Sequence, residues 1–368
     1  MKVLITGANG FIAKNLIVHL AERKDVEVVT FTRQNNLTEL TTLVESADFI
    51  FHLAGVNRSE VEIEFAEGNT DLSQSLCNAI EATGRKIPVI YSSSIQAELN
   101  NPYGISKLRA EEVLKSFSKT TGTEVYIFRL PNVFGKWSRP NYNSAVATFC
   151  NNIAKDLPIQ INNSSAEIRL VYVDDVVKQF ISIMNGNARS EIFCHVDPIY
   201  EITVGDLAKK ITAYKQSRET LVTEDVGSGF DRALHSTYLS YIQPEQFSYT
   251  LTKHGDERGV FVEMLKTRNS GQFSFFTAHP GITRGGHYHH TKTEKFLVVR
   301  GEALFKFRHI VLGEYYELKT TAGNPTIVET IPGWTHDITN IGNDEMIVML
   351  WANETFDREN PDTYAQPL

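Results

Sequence analysis

Cysteine is scarce. Only Cys77, Cys150 and Cys194 occur in 368 residues, widely spaced and without a CxxC pair. Neither a disulfide framework nor a thiolate zinc site is supported, and a reducing, cytoplasmic compartment is expected. Basic charge is also in deficit, with 36 Lys and Arg against 44 Asp and Glu and a formal net charge of −8. This balance leaves no footprint for a nucleic-acid backbone or an anionic membrane, and neither partner is expected. Long apolar runs are missing as well: no stretch of about 18 apolar residues occurs. Gly7 interrupts the first hydrophobic run too early for a signal peptide, so a protein neither exported nor membrane-spanning is expected. Hydrophobic residues at 42%, charged residues at 22% and aromatics at 10% exclude collagenous, coiled-coil and disordered classes.

What is present is a long globular chain, enough for two to three domains. Apolar runs at Lys2–Thr6, Val26–Phe31, Phe49–Leu53, Val89–Ser92 and Val125–Leu130 alternate with helix-period segments at Phe11–Arg23, Asp71–Thr83 and Lys107–Ser118. Continuous apolar strands separated by amphipathic helices imply a parallel sheet covered on both faces, a doubly wound α/β domain. From about Phe247 the texture changes to alternating stretches such as Gly271–Thr277, Ala303–Phe307 and Met346–Trp351, broken by Gly, Pro and Asn turns. An antiparallel sandwich or barrel is expected there. A boundary near Gln243-Pro244 gives domains 1–243 and 244–368.

The opening Val3-Leu4-Ile5-Thr6-Gly7-Ala8-Asn9-Gly10-Phe11-Ile12-Ala13 places Gly7, Gly10 and the small Ala13 at a strand-to-helix junction. Side chains there would hold the backbone off a pyrophosphate, and a helix N-terminus supplies oriented N–H groups, so Gly7, Asn9, Gly10, Phe11 and Ile12 are expected to bind a dinucleotide. After the second strand the ribose-binding carboxylate is missing and Arg33 stands nearby. An Arg can pair with a 2′-phosphate, which favours NADPH. Tyr103 and Lys107 lie four apart, on one face at the start of a helix. An ammonium beside a phenol favours the phenolate and makes the hydroxyl a proton donor and acceptor. The spacing alone says little, since Tyr249/Lys253, Tyr288/Lys292 and Tyr315/Lys319 share it in the β-rich half. Tyr103 is set apart by Tyr91-Ser92-Ser93-Ser94, which ends a buried strand and can bring a hydroxyl to the same reacting oxygen.

The glycine loop, Phe51-His52-Leu53-Ala54-Gly55, the Ser run, Tyr103-x-x-x-Lys107, Arg129-Leu130-Pro131-Asn132-Val133-Phe134-Gly135 and Tyr172-Val173-Asp174-Asp175-Val176 occur in one order. Together they resemble the extended short-chain dehydrogenase/reductases that act on nucleotide sugars, with their Rossmann-type fold. The resemblance implies Ser94 as hydrogen-bond donor to the carbonyl, Tyr103 as acid and base, and Lys107 as the residue that tunes it and binds ribose. It also implies Leu53 and Ala54 against the cofactor, with Asn132 and Arg169 near the sugar nucleotide. Sugar-nucleotide dehydratases carry an acidic pair just after the Ser or Thr, whereas this chain has Ser94-Ile95-Gln96. Without that acid, elimination is disfavoured and a simple keto-reduction is expected.

The second half holds Gly281-Ile282-Thr283-Arg284-Gly285-Gly286-His287-Tyr288-His289-His290, then Glu294 and, later, His336. Residues two apart on a strand point to one face, so His287 and His289 would both enter a barrel. Imidazoles plus a carboxylate suit Zn²⁺ or another divalent ion, and His289, His290, Glu294 and His336 are the candidate ligands, a bulge being able to exchange His289 for His290. The segments resemble the two motifs of the cupin (jelly-roll) fold, although Pro332 and Gly333 are adjacent where the family separates them. Asp256-Glu257-Arg258-Gly259-Val260-Phe261 and Arg284-Gly285-Gly286-His287-Tyr288 also resemble the nucleotide-4-keto-sugar epimerases of that fold. That resemblance implies His287 as the base removing a proton α to a ketone, with Arg258 and Arg284 holding phosphate or enolate charge. Those epimerases generally need no metal, so the ligand set is a departure.

A reductase joined to an epimerase-like cupin resembles the bifunctional enzymes of capsular polysaccharide assembly. This resemblance implies epimerisation at C3 of a UDP-2-acetamido-2,6-dideoxy-hexos-4-ulose, then NADPH-dependent reduction at C4, in a cytoplasmic homodimer. The alternative is a plain reductase with a bracing cupin. Chemistry fixes the order independently: a sugar C–H is acidic enough for a histidine base only while a carbonyl stands beside it, and reduction removes that carbonyl.

Overall fold

The computed structural model describes residues 1–187, 191–310 and 312–368. The chain divides into two compact units, Met1–Ile211 with Arg232–Ile242, and Thr212–Asp231 with Gln243–Leu368. The elements run β1 Lys2–Thr6, α1 Phe11–Ala21, β2 Glu27–Phe31, α2 Leu37–Glu45, β3 Phe49–His52, the single turn α3 Ile63–Phe65, α4 Leu72–Ala82, β4 Val89–Ser94, α5 Pro102–Thr121 and β5 Val125–Leu130. They continue through β6 Asn132–Phe134, α6 Ala145–Ala154, β7 Glu167–Tyr172, α7 Val173–Met184, β8 Phe193–Cys194, β9 Ile199–Thr203, α8 Val204–Thr220, β10 Val222–Thr223 and α9 Gly229–Leu239.

Six parallel strands of the first unit lie in the order β2-β1-β3-β4-β5-β8. Val3, Leu4 and Ile5 of β1 and every residue of β3 are buried, as a central strand covered on both faces requires. Ala13, Leu16 and Leu20 of α1 pack with Val176, Val177 and Phe180 of α7 in one apolar layer. Leu40 and Val44 of α2, Leu76 and Ile80 of α4, and Ala110, Leu114 and Phe117 of α5 form the other. The chain leaves β1 toward β2 on one side and returns to β3 on the other, which makes the β1/β3 pair the switch point where open α/β sheets bind ligands. A small sheet, β6-β7-β9, completes the unit.

The helix-period segment read at Lys107–Ser118 extends back to Pro102, in keeping with Tyr103 and Lys107 sharing the start of a helix. Asn101 caps it through Oδ1, which accepts the Gly104 amide at 2.8 Å, proline fills the first position, and Gly122 closes it at φ 68°. Tyr103 therefore sits in the first turn. Before α4 the helix is underwound into a π-turn, Ala66–Asp71, which the periodicity does not signal.

The second unit is antiparallel: β11 His254–Asp256, β12 Gly259–Thr267, β13 Gln272–Ala278, β14 Thr283–Tyr288, β15 Glu294–Arg300, β16 Glu302–His309, β17 Tyr315–Thr321, β18 Ile327–Glu329, β19 Trp334–Asn340, β20 Met346–Ala352 and β21 Tyr364–Ala365. One sheet runs β10-β12-β13-β20-β15-β18 with β11 added to β12, and the other runs β17-β16-β19-β14-β21. Alternating residues Phe276, Phe296, Phe305, Phe307, Ile338 and Val348 fill the space between them. The short β10 pairs in parallel with β12, which draws a segment ahead of the expected boundary into this unit.

Candidate functional site

The first constellation lies at the carboxyl ends of the parallel strands. Gly7 turns there at φ 69°, its amide donating to the Phe31 carbonyl, and Gly10 donates back to the Gly7 carbonyl, each at 2.8 Å. Asn9, Phe11 and Ile12 follow the same turn into α1, which has no side-chain cap and no carboxylate in its first turn. Its leading amides stay available to an anion. Leu53 and Ala54 are half-buried just beyond β3, and Arg33, just beyond β2, is exposed without an ion pair among the described residues.

Ser94 ends β4 and Tyr103 lies in the first turn of α5, and the Ser94 side chain acts on the Tyr103 hydroxyl. Burial pushes the Tyr103 hydroxyl up, with the Ser94 contact pulling the other way. Lys107 is not among the influences on this hydroxyl, so the phenolate-favouring shift expected from it is not seen, and burial favours the protonated phenol. Lys107 is itself buried, its Nζ donating to the Ser92 carbonyl at 2.9 Å and lying 4.8 Å from the Tyr91 ring centroid. Burial pushes its ammonium down to about 8, against the pull of Glu111. Glu111 in turn accepts from Ser93 Oγ and from Arg129, which holds the strand end against α5.

Asn132 and Arg169 are brought together across β6 and β7, Asn132 Nδ2 donating to the Arg169 carbonyl at 3.3 Å. The Arg169 side chain is exposed and pairs with Glu201. The same unit holds a cavity of about 490 Å³ lined by Tyr142, Ser144, Thr148, Gln160 and Asn163 among others, a feature that no spacing in the sequence signals.

In the second unit His287, His289, Glu294 and His336 converge, their ligand atoms all within 4.8 Å of one another. A bulge between Gly285 and His287 shifts the register of β14 against β19 and sets His287 opposite His336. Gly285 at φ 100° permits it, since a Cβ there would meet the His336 carbonyl at 2.8 Å. His336 reaches the cluster despite the adjacent Pro332 and Gly333. His290 does not. The strand ends at Tyr288, His289 turns inward, and the exposed His290 ring packs at 4.8 Å from Tyr364 and 5.5 Å from Tyr288. Burial alone would raise the Glu294 carboxyl, but the contacts with His289 and His336 and the charge of Lys292, 3.1 Å away, hold it well below its usual range. Burial, then the neighbouring His336, lowers His287 to about 4.

Neither ring nitrogen of the buried His336 makes a hydrogen bond, although Nε2 is 3.4 Å from Glu294 Oε2. Orphaned imidazole nitrogens beside a carboxylate and two further imidazoles fit a divalent cation in donor type and spacing. Arg258 is paired with Asp256, and Arg284 donates to the Thr277 carbonyl at 3.1 Å while lying over Phe276.

Residues 3–194 match the model of the NAD dependent epimerase/dehydratase family, and residues 254–364 that of the polysaccharide biosynthesis C-terminal domain. The chain belongs to the NAD-dependent epimerase/dehydratase family. Within it, the chain is 62% identical over 365 residues to a UDP-2-acetamido-2,6-beta-L-arabino-hexul-4-ose reductase of Pseudomonas aeruginosa, covering 99% of this chain and 98% of that protein. The crystal structure of the capsular polysaccharide assembling protein CapF from Staphylococcus aureus matches all of both chains at 41% identity and a TM-score of 0.93. The likeness runs through both compact units of the chain. A Thermotoga maritima UDP-glucose 4-epimerase, 18% identical with a TM-score of 0.55 over 66% of this chain and 98% of that one, shares the fold of the first unit's sheet.

Family membership implies a nicotinamide cofactor. At the glycine turn a Cβ on Gly7 would meet the Ala54 backbone at 2.5–2.6 Å. Among the described residues no helix is long and apolar enough to cross a membrane. Three contributors escaped the sequence. Lys292 lies two positions before Glu294, a same-face spacing that could have revealed it. Asp362 accepts the amides of His290, Thr291 and Lys292 at 2.7–2.9 Å, and its carbonyl takes a hydrogen bond from His289 Nδ1 at 2.5 Å. It lies in the C-terminal tail, in no motif. His52, inside a recognised motif, carries no signal of its buried partners.

Proposed function

We propose that the chain performs two successive reactions on a UDP-2-acetamido-2,6-dideoxy-hexos-4-ulose: epimerisation at C3 in the second unit, then NADPH-dependent reduction at C4 in the first. The product is UDP-2-acetamido-2,6-dideoxy-L-talose, for capsular polysaccharide. The observation that carries the reading is the inward cluster of His287, His289, Glu294 and His336 in a chain that also sets Ser94 beside Tyr103 and buries Lys107 against the Ser92 carbonyl. The reductase named among its relatives supports the second step, and the CapF likeness supports the setting.

In the epimerisation His287, the least buried member of the cluster, is the base that takes the C3 proton. Arg258 and Arg284 supply positive charge for the enolate or the diphosphate. Reprotonation on the opposite face inverts the centre. Held by His289, Glu294 and His336, zinc or another divalent ion would polarise the C4 carbonyl as a Lewis acid.

In the reduction Ser94 donates a hydrogen bond to the C4 oxygen and Tyr103 delivers its proton. Lys107 keeps a cation beneath them, and Asn132 and Arg169 hold the sugar nucleotide. NADPH supplies the hydride when bound, and the unpaired Arg33 supports it over NADH because its guanidinium is free for a 2′-phosphate.

The test is mass spectrometry of the UDP-4-keto sugar incubated in D₂O with and without NADPH. Tyr103→Phe slows NADPH oxidation by about 10²–10⁴-fold while deuterium still enters at C3. His287→Asn stops deuterium entry. Unchanged deuterium entry in His287→Asn would instead support a single-function reductase with a bracing C-terminal domain, a reading favoured by the name of the Pseudomonas relative.

A further inference from the structure

A chain of hydrogen bonds with one possible direction crosses the buried centre of the first unit. Ser73 Oγ donates to the Asn69 carbonyl at 2.7 Å. A hydroxyl has one hydrogen, so at 3.0 Å Ser73 Oγ must accept from His52 Nε2. A neutral ring protonated on Nε2 leaves Nδ1 as acceptor, and Thr6 Oγ1 donates to it at 2.7 Å. Thr6 Oγ1 then accepts the Ala54 amide at 3.2 Å. His52 is 1% exposed, and burial first, then the charge of Lys107, pushes it down to about 3 and keeps it neutral.

Both ends of this chain meet the reduction machinery. Ala54 packs against the Gly7 turn. Asn69, in the π-turn before α4, donates from Nδ2 to the Val56 carbonyl and to Ser106 Oγ, each at 2.9 Å, beside Lys107. The His52 ring is stacked 5.4 Å from that of Tyr91, whose face carries the Lys107 ammonium.

We propose that His52 is a positioning residue for the reduction: a neutral imidazole, its proton fixed on Nε2, that locks the Leu53–Ala54 loop to the turn supporting Lys107. The assignment of its target rests on the reading of this unit as a nicotinamide-dependent reductase. Imidazolium would carry donors on both nitrogens, break the link to Thr6 and place a second cation near Lys107.

Long-range ¹H–¹⁵N correlation of the full chain, with His52 assigned by its loss in His52→Gln, reads the tautomer directly. The expected signature is a bare Nδ1 and a protonated Nε2; a proton on Nδ1 overturns the proposal. NADPH titration by fluorescence reads the consequence. Thr6→Val, which leaves the half-buried Ala54 amide without its partner, weakens binding about tenfold, and Thr6→Ser restores it. Binding in Thr6→Val equal to wild type also overturns the proposal. At saturating NADPH, kcat in Thr6→Val falls less than KM for NADPH rises; the reverse split contradicts a role in holding the loop. If Thr6→Val does not fold, the wild-type tautomer still decides. A wild-type protein that binds no NADPH would overturn the reductase reading, while the tautomer measurement would remain the test of the hydrogen-bond chain.

Discussion

Gly7 and Ala54 approach so closely that a Cβ on Gly7 would stand 2.5 Å from the Ala54 Cα. The contact joins the turn after β1 to the end of β3 across the switch point of the sheet, where the dinucleotide is expected. Gly7→Ala meets both this clash and a φ of 69°. The substitution is expected to destabilise the chain by about 1–3 kcal/mol and to abolish nucleotide binding. Thermal melting together with an NADPH titration checks it; unchanged binding would show that this turn is not the cradle.

On the proposed mechanism Lys107 sets a pH limit for the reduction. Its ammonium ionises at about 8 in the fold against an ordinary 10.5, because burial disfavours the charge. The folded chain therefore surrenders this proton before the unfolded chain does. Between about 8 and 10.5 the unfolded state binds more protons, so this group's contribution to stability rises with pH. On the proposed mechanism activity moves the opposite way, since the Lys107 cation is lost. The rate of NADPH oxidation at saturating substrates is expected to fall as pH rises through about 8. A flat profile to pH 10 would remove Lys107 from that role.

His289 and His290 separate by substitution. His289→Ala removes a buried member of the convergent set and is expected to abolish bound metal, whereas His290→Ala, at an exposed ring, leaves the metal content intact. Elemental analysis of protein purified with zinc supplied tests the pair, and equal loss in both variants would contradict the assignment.

Asp362 bears on the same cluster from outside. Its carboxylate accepts three successive amides and the Thr291 hydroxyl, while its carbonyl fixes the proton of His289 on Nδ1. Burial raises its carboxyl, but these hydrogen bonds more than reverse that and hold it far below the usual range. Outer-sphere partners of this kind are worth roughly 10–100-fold in metal affinity. Asp362→Ala is expected to weaken zinc binding by that factor in a chelator competition, with His290→Ala as the unaffected control.

The sequence by itself determined both fold classes, because the apolar runs of β1 and β3 suit only a strand covered on two faces and the alternation after Phe247 only a half-buried sheet. It also supplied the chemistry of Ser94, Tyr103 and Lys107, which local motifs carry. Tertiary structure decided which histidines converge. Inward and outward facing depends on the bulge at Gly285, and that bulge is a property of β14 against β19 rather than of the run from Arg284 to His290. It likewise decided the protonation of Tyr103, which burial pushes up while Lys107, four positions away, has no part in the shift. Asp362 and the partners of His52 were beyond reach for one reason: a hydrogen bond is set by proximity in space, and His289 and Asp362 are 73 positions apart in the chain.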